Sequence, residues 1–148
     1  MQSGLTGPIP STLQTFTSLT YLDVQGNTLS GPVPSLTHLP LHTLSLSKNN
    51  FTGGLTDVFT QSTPDLPLTY AALDNNRFTG SLPTSLYALT KLTTLRLSGN
   101  ALIGTLSSAV SKLTSLQRLF LDYNALTGSL RIKHMLCLTH YLTNTCSN

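Results

Sequence analysis

The chain has 148 residues and a formal net charge of +3, from eight Lys and Arg against five Asp, with no Glu at all. Charged residues are 9% of the whole, against roughly 25% in an ordinary soluble domain, which excludes a charged helical protein or a coiled coil. The eight cations are scattered without a dense basic run, which excludes a nucleic-acid footprint, and no apolar run nears the ~18 residues of a membrane span.

Leucine fills 31 positions, threonine 24 and serine 17, almost half the chain, and their order is repetitive. Ser3 and Leu5-Thr-Gly-Pro-Ile-Pro10 open the chain inside a truncated copy. The first complete copy runs from Tyr21 to Gly31 (Tyr-Leu-Asp-Val-Gln-Gly-Asn-Thr-Leu-Ser-Gly), and it recurs at Thr43 to Gly53, Tyr70 to Gly80, Thr94 to Gly104 and Arg118 to Gly128. One asparagine marks each copy: Asn27, Asn49, Asn76, Asn100 and Asn124, spaced 22, 27, 24 and 24 residues apart. The long interval holds an insertion around Gln61-Ser-Thr-Pro-Asp-Leu-Pro67, expected to bulge from the edge of the stack.

Within a copy, Leu22 and Val24, Leu44 and Leu46, Ala71 and Leu73, Leu95 and Leu97, and Leu119 and Leu121 alternate with other residues. Alternation over so short a stretch predicts a strand with one buried face. The asparagine ends each strand, where its amide can pair turn backbone groups that would otherwise be buried alone. Leu29, Phe51, Phe78, Leu102 and Leu126 then turn inward, each followed two residues later by glycine. Strands of one orientation every ~24 residues cannot form hairpins, so they stack in parallel as a solenoid. The segment 84–92 spaces leucines three apart and suits a short helical or 3₁₀ return.

These copies resemble the plant-type leucine-rich repeat family, whose consensus reads LxxLxLxxNxLxGxIPxxLxxLxx. The best matches are Leu5-Thr-Gly-Pro-Ile-Pro10, Leu29-Ser-Gly-Pro-Val-Pro34 and Phe78-Thr-Gly-Ser-Leu-Pro83. The resemblance implies an α/β repeat fold: a leucine-rich-repeat solenoid with a parallel concave β-sheet and short helical, 3₁₀ or irregular convex returns. Repeats occupy 1–130, and 131–148 form a degenerate last repeat or C-terminal cap, since His134, Cys137 and His140 stand where leucines are expected. The family's paired-cysteine amino-terminal cap is missing, and Pro83 gives way to Ser107 and Arg131 in the next copies. An uncapped first repeat leaves Leu5 and Ile9 exposed, so the chain is expected to be a piece of a longer protein and to self-associate through that end.

The outward strand positions form columns on the concave face: Tyr21, Thr43, Tyr70, Thr94, Arg118; then Asp23, Ser45, Ala72, Arg96, Phe120; then Gln25, Ser47, Asp74, Ser98, Asp122, beside Lys48, Asn75 and Tyr123. Tyr21, Asp23, Tyr70, Asp74, Arg96, Arg118, Phe120, Asp122 and Tyr123 are the candidate ligand contacts, because arginine and aromatics anchor interfaces. A second array precedes and follows the glycines: Thr6, Ser30, Thr52, Thr79, Ile103, Thr127, with Pro8, Pro32, Gly54, Ser81, Thr105, Ser129 two places on. Stacked hydroxyls on a nearly uncharged side face are what an ice-binding surface requires, and they are also common filler in such repeats.

Asp23, His42 and Ser45 have the residue types of a triad, but no strained nucleophile turn or oxyanion hole accompanies them. His134, Cys137, His140 and Cys146 have zinc-binding atom types at spacings foreign to known fingers, so no metal is assigned. Cys137 and Cys146 pair as a disulfide or stay free thiols. Asn50-Phe51-Thr52 is a glycosylation sequon with Asn50 as acceptor. No enzyme, no cofactor, no nucleic acid and no membrane span is expected. The resemblance implies a non-catalytic recognition module, a receptor-like ectodomain fragment or secreted inhibitor similar to polygalacturonase-inhibiting proteins. It would lie outside the cell or in the wall, although no leading segment reads as a signal peptide, and would bind a protein, peptide or cell-wall polysaccharide. The alternative is an ice-binding or structural wall protein that uses the Ser/Thr side face.

Overall fold

In the computed structural model, which describes residues 4–36, 38–60 and 66–128, strands of two kinds alternate along the chain. They are β1 (Thr6–Gly7), β2 (Tyr21–Asp23), β3 (Thr28–Pro32), β4 (Thr43–Ser45), β5 (Asn50–Thr52) and β6 (Tyr70–Ala72). The later repeats add β7 (Thr79–Gly80), β8 (Thr94–Arg96), β9 (Ala101–Thr105), β10 (Arg118–Phe120) and β11 (Ala125–Thr127). The even-numbered strands carry the alternating leucines and form one parallel five-stranded sheet, ordered β10-β8-β6-β4-β2. Its register places Leu22, Leu44, Ala71, Leu95 and Leu119 side by side, so equivalent residues of successive repeats face one another. The solenoid and its parallel concave sheet follow directly from that self-similarity.

The core runs along the stack between this sheet and the returns. Leu44, Leu46, Ala71, Leu73, Leu95 and Leu97 are buried, while Leu22, Val24, Leu119 and Leu121 at the two ends are half-buried. Phe51 and Phe78, both fully buried, stack on each other with ring centroids 6.4 Å apart. Three returns are 3₁₀ turns, Ser11–Thr15, Thr84–Ala88 and Ser108–Lys112, and one is a single helical turn, α1 (Leu55–Val58). In the second 3₁₀ return Leu86, Leu89 and Leu92 donate in turn to the carbonyls of Pro83, Leu86 and Leu89. A turn closing every three residues brings leucines three apart onto one side, and all three are buried. Pro83 enters that turn at φ −72°, and Ser107 enters the next at φ −67° while its Oγ accepts from the Ala109 N–H. A capping hydroxyl thus replaces a ring-locked φ, which explains how the repeat tolerates the loss of proline. Tyr87 is buried beneath this region, and burial pushes its phenol above the ordinary value despite a hydrogen bond with the Ser107 backbone that lowers it.

Each asparagine of the series joins two repeats. The Asn76 Oδ1 accepts from the Phe51 N–H (3.1 Å), and its Nδ2 donates to the carbonyls of Leu46 (3.0 Å), Leu73 (3.2 Å) and Asp74 (3.4 Å). Asn49, Asn100 and Asn124 repeat this set, accepting from the N–H groups of Leu29, Phe78 and Leu102. Asn27 accepts from Leu5 and, among the described residues, donates within its own repeat, to Val24 and Gln25.

The odd-numbered strands are what the sequence reading lacks. The stretch from the asparagine to the glycine is read there as an inward residue before a turn, yet it forms a second, flank sheet. That sheet comes in two parallel halves, β1-β3-β5 and β11-β9-β7, joined by a bridge between Gly54 and Thr79 and by backbone hydrogen bonds from the Arg77 and Thr79 N–H groups to the Phe51 and Gly53 carbonyls. The break falls at the longest repeat, where most of the expected insertion bulge (61–65) lies outside the described residues. The expected last repeat or cap at 131–148 lies outside them too.

Candidate functional site

Two surfaces emerge from this architecture. On the concave face, strand register aligns Tyr21, Thr43, Tyr70, Thr94 and Arg118 in one row and Asp23, Ser45, Ala72, Arg96 and Phe120 in the next. Exposure along the rows is uneven. Ser45, Ala72 and Thr94 are buried and form a floor of small groups, whereas Tyr21, Asp23, Arg96 and Arg118 rise from it and Tyr70 and Phe120 are half-buried. Strand spacing of about 4.8 Å puts Asp23 and Arg96 about 14 Å apart across that floor.

Asp74 does not face solvent. It is 1% exposed, and its carboxylate accepts from Ser47 Oγ (2.7 Å), Asn75 Nδ2 (2.8 Å) and the Arg96 guanidinium through Nε (3.0 Å) and Nη2 (3.1 Å). A buried carboxylate needs such partners, because desolvation without them is prohibitive. Arg96 also lies over the Phe120 ring, 5.6 Å from its centroid. Its guanidinium is therefore held on two sides, which removes rotamer freedom that a free arginine would have to give up on binding. Ser98 donates to Asp122 in the same way that Ser47 donates to Asp74. At the other edge the Tyr21 hydroxyl donates to Asp23 (3.3 Å), which also accepts from the Gln25 N–H (3.0 Å). The sequence-derived contacts thus divide into an Asp74–Arg96–Phe120–Asp122 group with Arg118 beside it and a separate Tyr21–Asp23 pair.

One residue before each ladder asparagine the backbone is left-handed. Gly26 and Gly99 take this conformation, but so do Lys48 (φ 57°), Asn75 (φ 56°) and Tyr123 (φ 53°). At Gly99 a Cβ would lie 2.9 Å from Asn75 Oδ1, the end of an exposed side chain that can turn away, so the left-handed backbone is what favours glycine there. Tyr123 adopts this unfavourable conformation to hold an aromatic ring 84% exposed. Replacing it with the glycine of its sister repeats is expected to raise stability by about 1 kcal/mol in chemical denaturation. A loss of stability would mean that the ring packs on the solenoid.

The second surface is the outer face of the flank sheet. Its outward strand positions are Thr6, Thr28, Ser30, Pro32, Asn50, Thr52, Thr79, Ala101, Ile103, Thr105, Ala125 and Thr127, none of them charged; Arg77 stands just before β7. Register corrects the array read from sequence. Neighbouring strands are staggered by two residues, so Thr6 faces Thr28, Ser30 faces Asn50, Pro32 faces Thr52, Thr79 faces Ala101 and Ile103 faces Ala125. The column Thr6, Ser30, Thr52, Thr79, Ile103, Thr127 therefore runs obliquely over the sheet, and Ser129 lies outside the described residues. Asn50, the sequon asparagine, is half-buried on β5, next to the fully buried Phe51.

The remaining candidates are not assembled into a site. His42 is exposed, its carbonyl accepting from the N–H groups of Thr69 and Tyr70, while Ser45 is buried in the floor. Among the described residues no group of three His, Cys, Asp or Glu could hold a metal ion, and no helix is long and apolar enough to cross a membrane. His134, Cys137, His140 and Cys146 lie outside the described residues. Ser47 and Asn75, which complete the Asp74 shell, are not among the sequence-derived contacts, because small polar side chains carry no anchor signal and their pairing with Asp74 is made only by the stacking of repeats.

Known proteins share this arrangement. Family models described as leucine-rich repeats match residues 18–39, 40–62 and 67–126, more than half of the chain together. Curated proteins give no significant match. Among solved structures, the Arabidopsis receptor kinase HAESA ectodomain, in complex with an N-terminally extended IDA peptide hormone, is 34% identical with a TM-score of 0.74. That likeness covers 83% of this chain and 20% of that one. The BIR3–SERK2 complex from Arabidopsis thaliana is 33% identical, TM-score 0.69, covering 86% of this chain and 66% of that one. A plant ice-binding protein is 28% identical, TM-score 0.60, covering 86% and 48%. The chain spans about a fifth of the hormone receptors it matches. On these matches and on its own repeats and parallel sheet, the chain belongs to the leucine-rich repeat family.

Proposed function

We propose that this chain is a non-catalytic, extracellular recognition segment that binds a peptide or protein through the arginine-aromatic end of its concave face. The observation that carries the reading is the guanidinium of Arg96, held by buried Asp74 and stacked on Phe120, with Arg118 exposed on the adjoining strand and Tyr123 displayed from a strained backbone. Held planar donors beside aromatic surface have the composition of interface anchors. Support comes from the similar structures, one a receptor with a peptide hormone and one a complex of two proteins. The test uses a phage-displayed peptide library and a plant secretome pull-down as probes. Arg118→Ala with Phe120→Ala is expected to cost at least ~2 kcal/mol of affinity for whatever is captured, and Thr79→Leu little. Equal binding by the double variant would overturn the concave reading. Capture of a wall polysaccharide, or of a second copy through exposed Leu5 and Phe16, would replace the peptide or protein partner.

A second reading, ice binding, is favoured by the uncharged outward positions of the flank sheet. The similarity to a plant ice-binding protein supports it.

A further inference from the structure

The geometry points to the outer face of β7, β9 and β11 as an ice-binding surface, an assignment that rests on the second reading and gives it a location. The two halves of the flank sheet differ. The half built on β1, β3 and β5 is interrupted by exposed Pro8 and Pro32, whereas β7, β9 and β11 present Thr79, Ala101, Ile103, Thr105, Ala125 and Thr127, all exposed and all uncharged, with exposed Arg77 at their edge two residues before Thr79. A charged side chain orients its hydration water around itself and opposes a lattice, while methyl and hydroxyl groups can fit into one. Ile103, at 55% exposure the large apolar group of this patch, stands at its centre facing Ala125.

Two of the three threonines here reach back to the preceding repeat through their hydroxyls. Thr79 Oγ1 donates to the Gly53 carbonyl (3.4 Å) and Thr127 Oγ1 to the Gly104 carbonyl (3.3 Å), each one repeat back. Threonine is β-branched, so a fixed Oγ1 also fixes the methyl. These long contacts favour one methyl position at Thr79 and Thr127 and so reduce the side-chain ordering left to be done at the surface. Facing pairs Thr79 with Ala101, Ile103 with Ala125 and Thr105 with Thr127 sit about one strand spacing of ~4.8 Å apart, each displaced along the chain from the last. The result is an oblique net on a hydrogen-bonded sheet. A rigid solid cannot adapt to a protein, so its binder must be flat and preorganised. A protein partner would instead call for aromatic or arginine anchors, and the six patch positions hold neither, Arg77 standing at their edge.

The experiment needs only the chain and ice. Thermal hysteresis and ice recrystallisation are measured on the wild type and on Ile103→Lys, Thr105→Lys, Thr52→Lys and Phe120→Ala, each checked for an unchanged melting temperature. Hysteresis in the wild type that is lost in Ile103→Lys and Thr105→Lys but kept in Thr52→Lys and Phe120→Ala supports the assignment. Thr127→Ser, which keeps the hydroxyl and removes the methyl, is expected to reduce it. A wild type without hysteresis ends the ice reading itself. Hysteresis that survives Ile103→Lys and Thr105→Lys keeps that reading and overturns the location. A dimer in sedimentation that Ile103→Lys dissolves, without hysteresis, makes the patch a self-association surface and overturns the proposal.

Discussion

Asn76→Ala is expected to destabilise the chain by about 3 kcal/mol, read from the midpoint of urea denaturation at unchanged slope. The side chain is 8% exposed and meets four backbone groups from two repeats. Alanine leaves the Phe51 N–H without its acceptor beside a fully buried ring, and the Leu46 and Leu73 carbonyls lose a donor. Water does not easily reach that position, so the desolvation cost stands. Asn27→Ala provides the internal scale at about 1 kcal/mol, since Asn27 is half-buried and, among the described residues, donates within its own repeat. Equal losses at the two positions would show that the ladder acts as a set of separate turns and not as a link between repeats.

Phe78→Ala is expected to cost about 4 kcal/mol, the largest effect of any single truncation proposed for this chain. The ring is fully buried, stacks on Phe51 and sits where one repeat hands the core to the next. Its neighbours are held by two sheets and cannot collapse into the space, so most of the cavity persists. In a solenoid each repeat touches only its neighbours, so a defect at this junction also separates the halves. Calorimetry of the variant should therefore show either one transition at much lower temperature or a split one. A loss below about 1 kcal/mol would mean that the Phe51 side of the stack refills the gap.

How much of this was legible beforehand differs from surface to surface. The solenoid could be read directly, because spaced asparagines and alternating leucines state which residues are equivalent, and equivalent residues must become neighbours in a parallel stack. The concave rows followed from the same equivalence: Asp23, Ser45, Ala72, Arg96 and Phe120 align in the structure as they do in the repeat. Their exposure did not follow. Asp74 occupies an outward column yet is buried, because Ser47 and Arg96 close over it from 27 and 22 residues away. Nothing in one repeat announces which residues of the next will cover it.

The sequence by itself determined the period, the inward face and the residues that join one turn of the solenoid to the next. Tertiary structure alone decided the flank sheet, its division at the longest repeat, its two-residue stagger and the left-handed turn shared by Gly26, Lys48, Asn75, Gly99 and Tyr123. A flank strand buries one side chain, too few to show a period, and its stagger depends on the slant of one whole repeat over another. The left-handed position is imposed by the turn geometry on whatever residue stands there, so three of its five occupants bear side chains and leave no glycine signature. Short-range patterns record what each residue buries; register and exposure are properties of the stack, set by contacts between residues more than twenty positions apart.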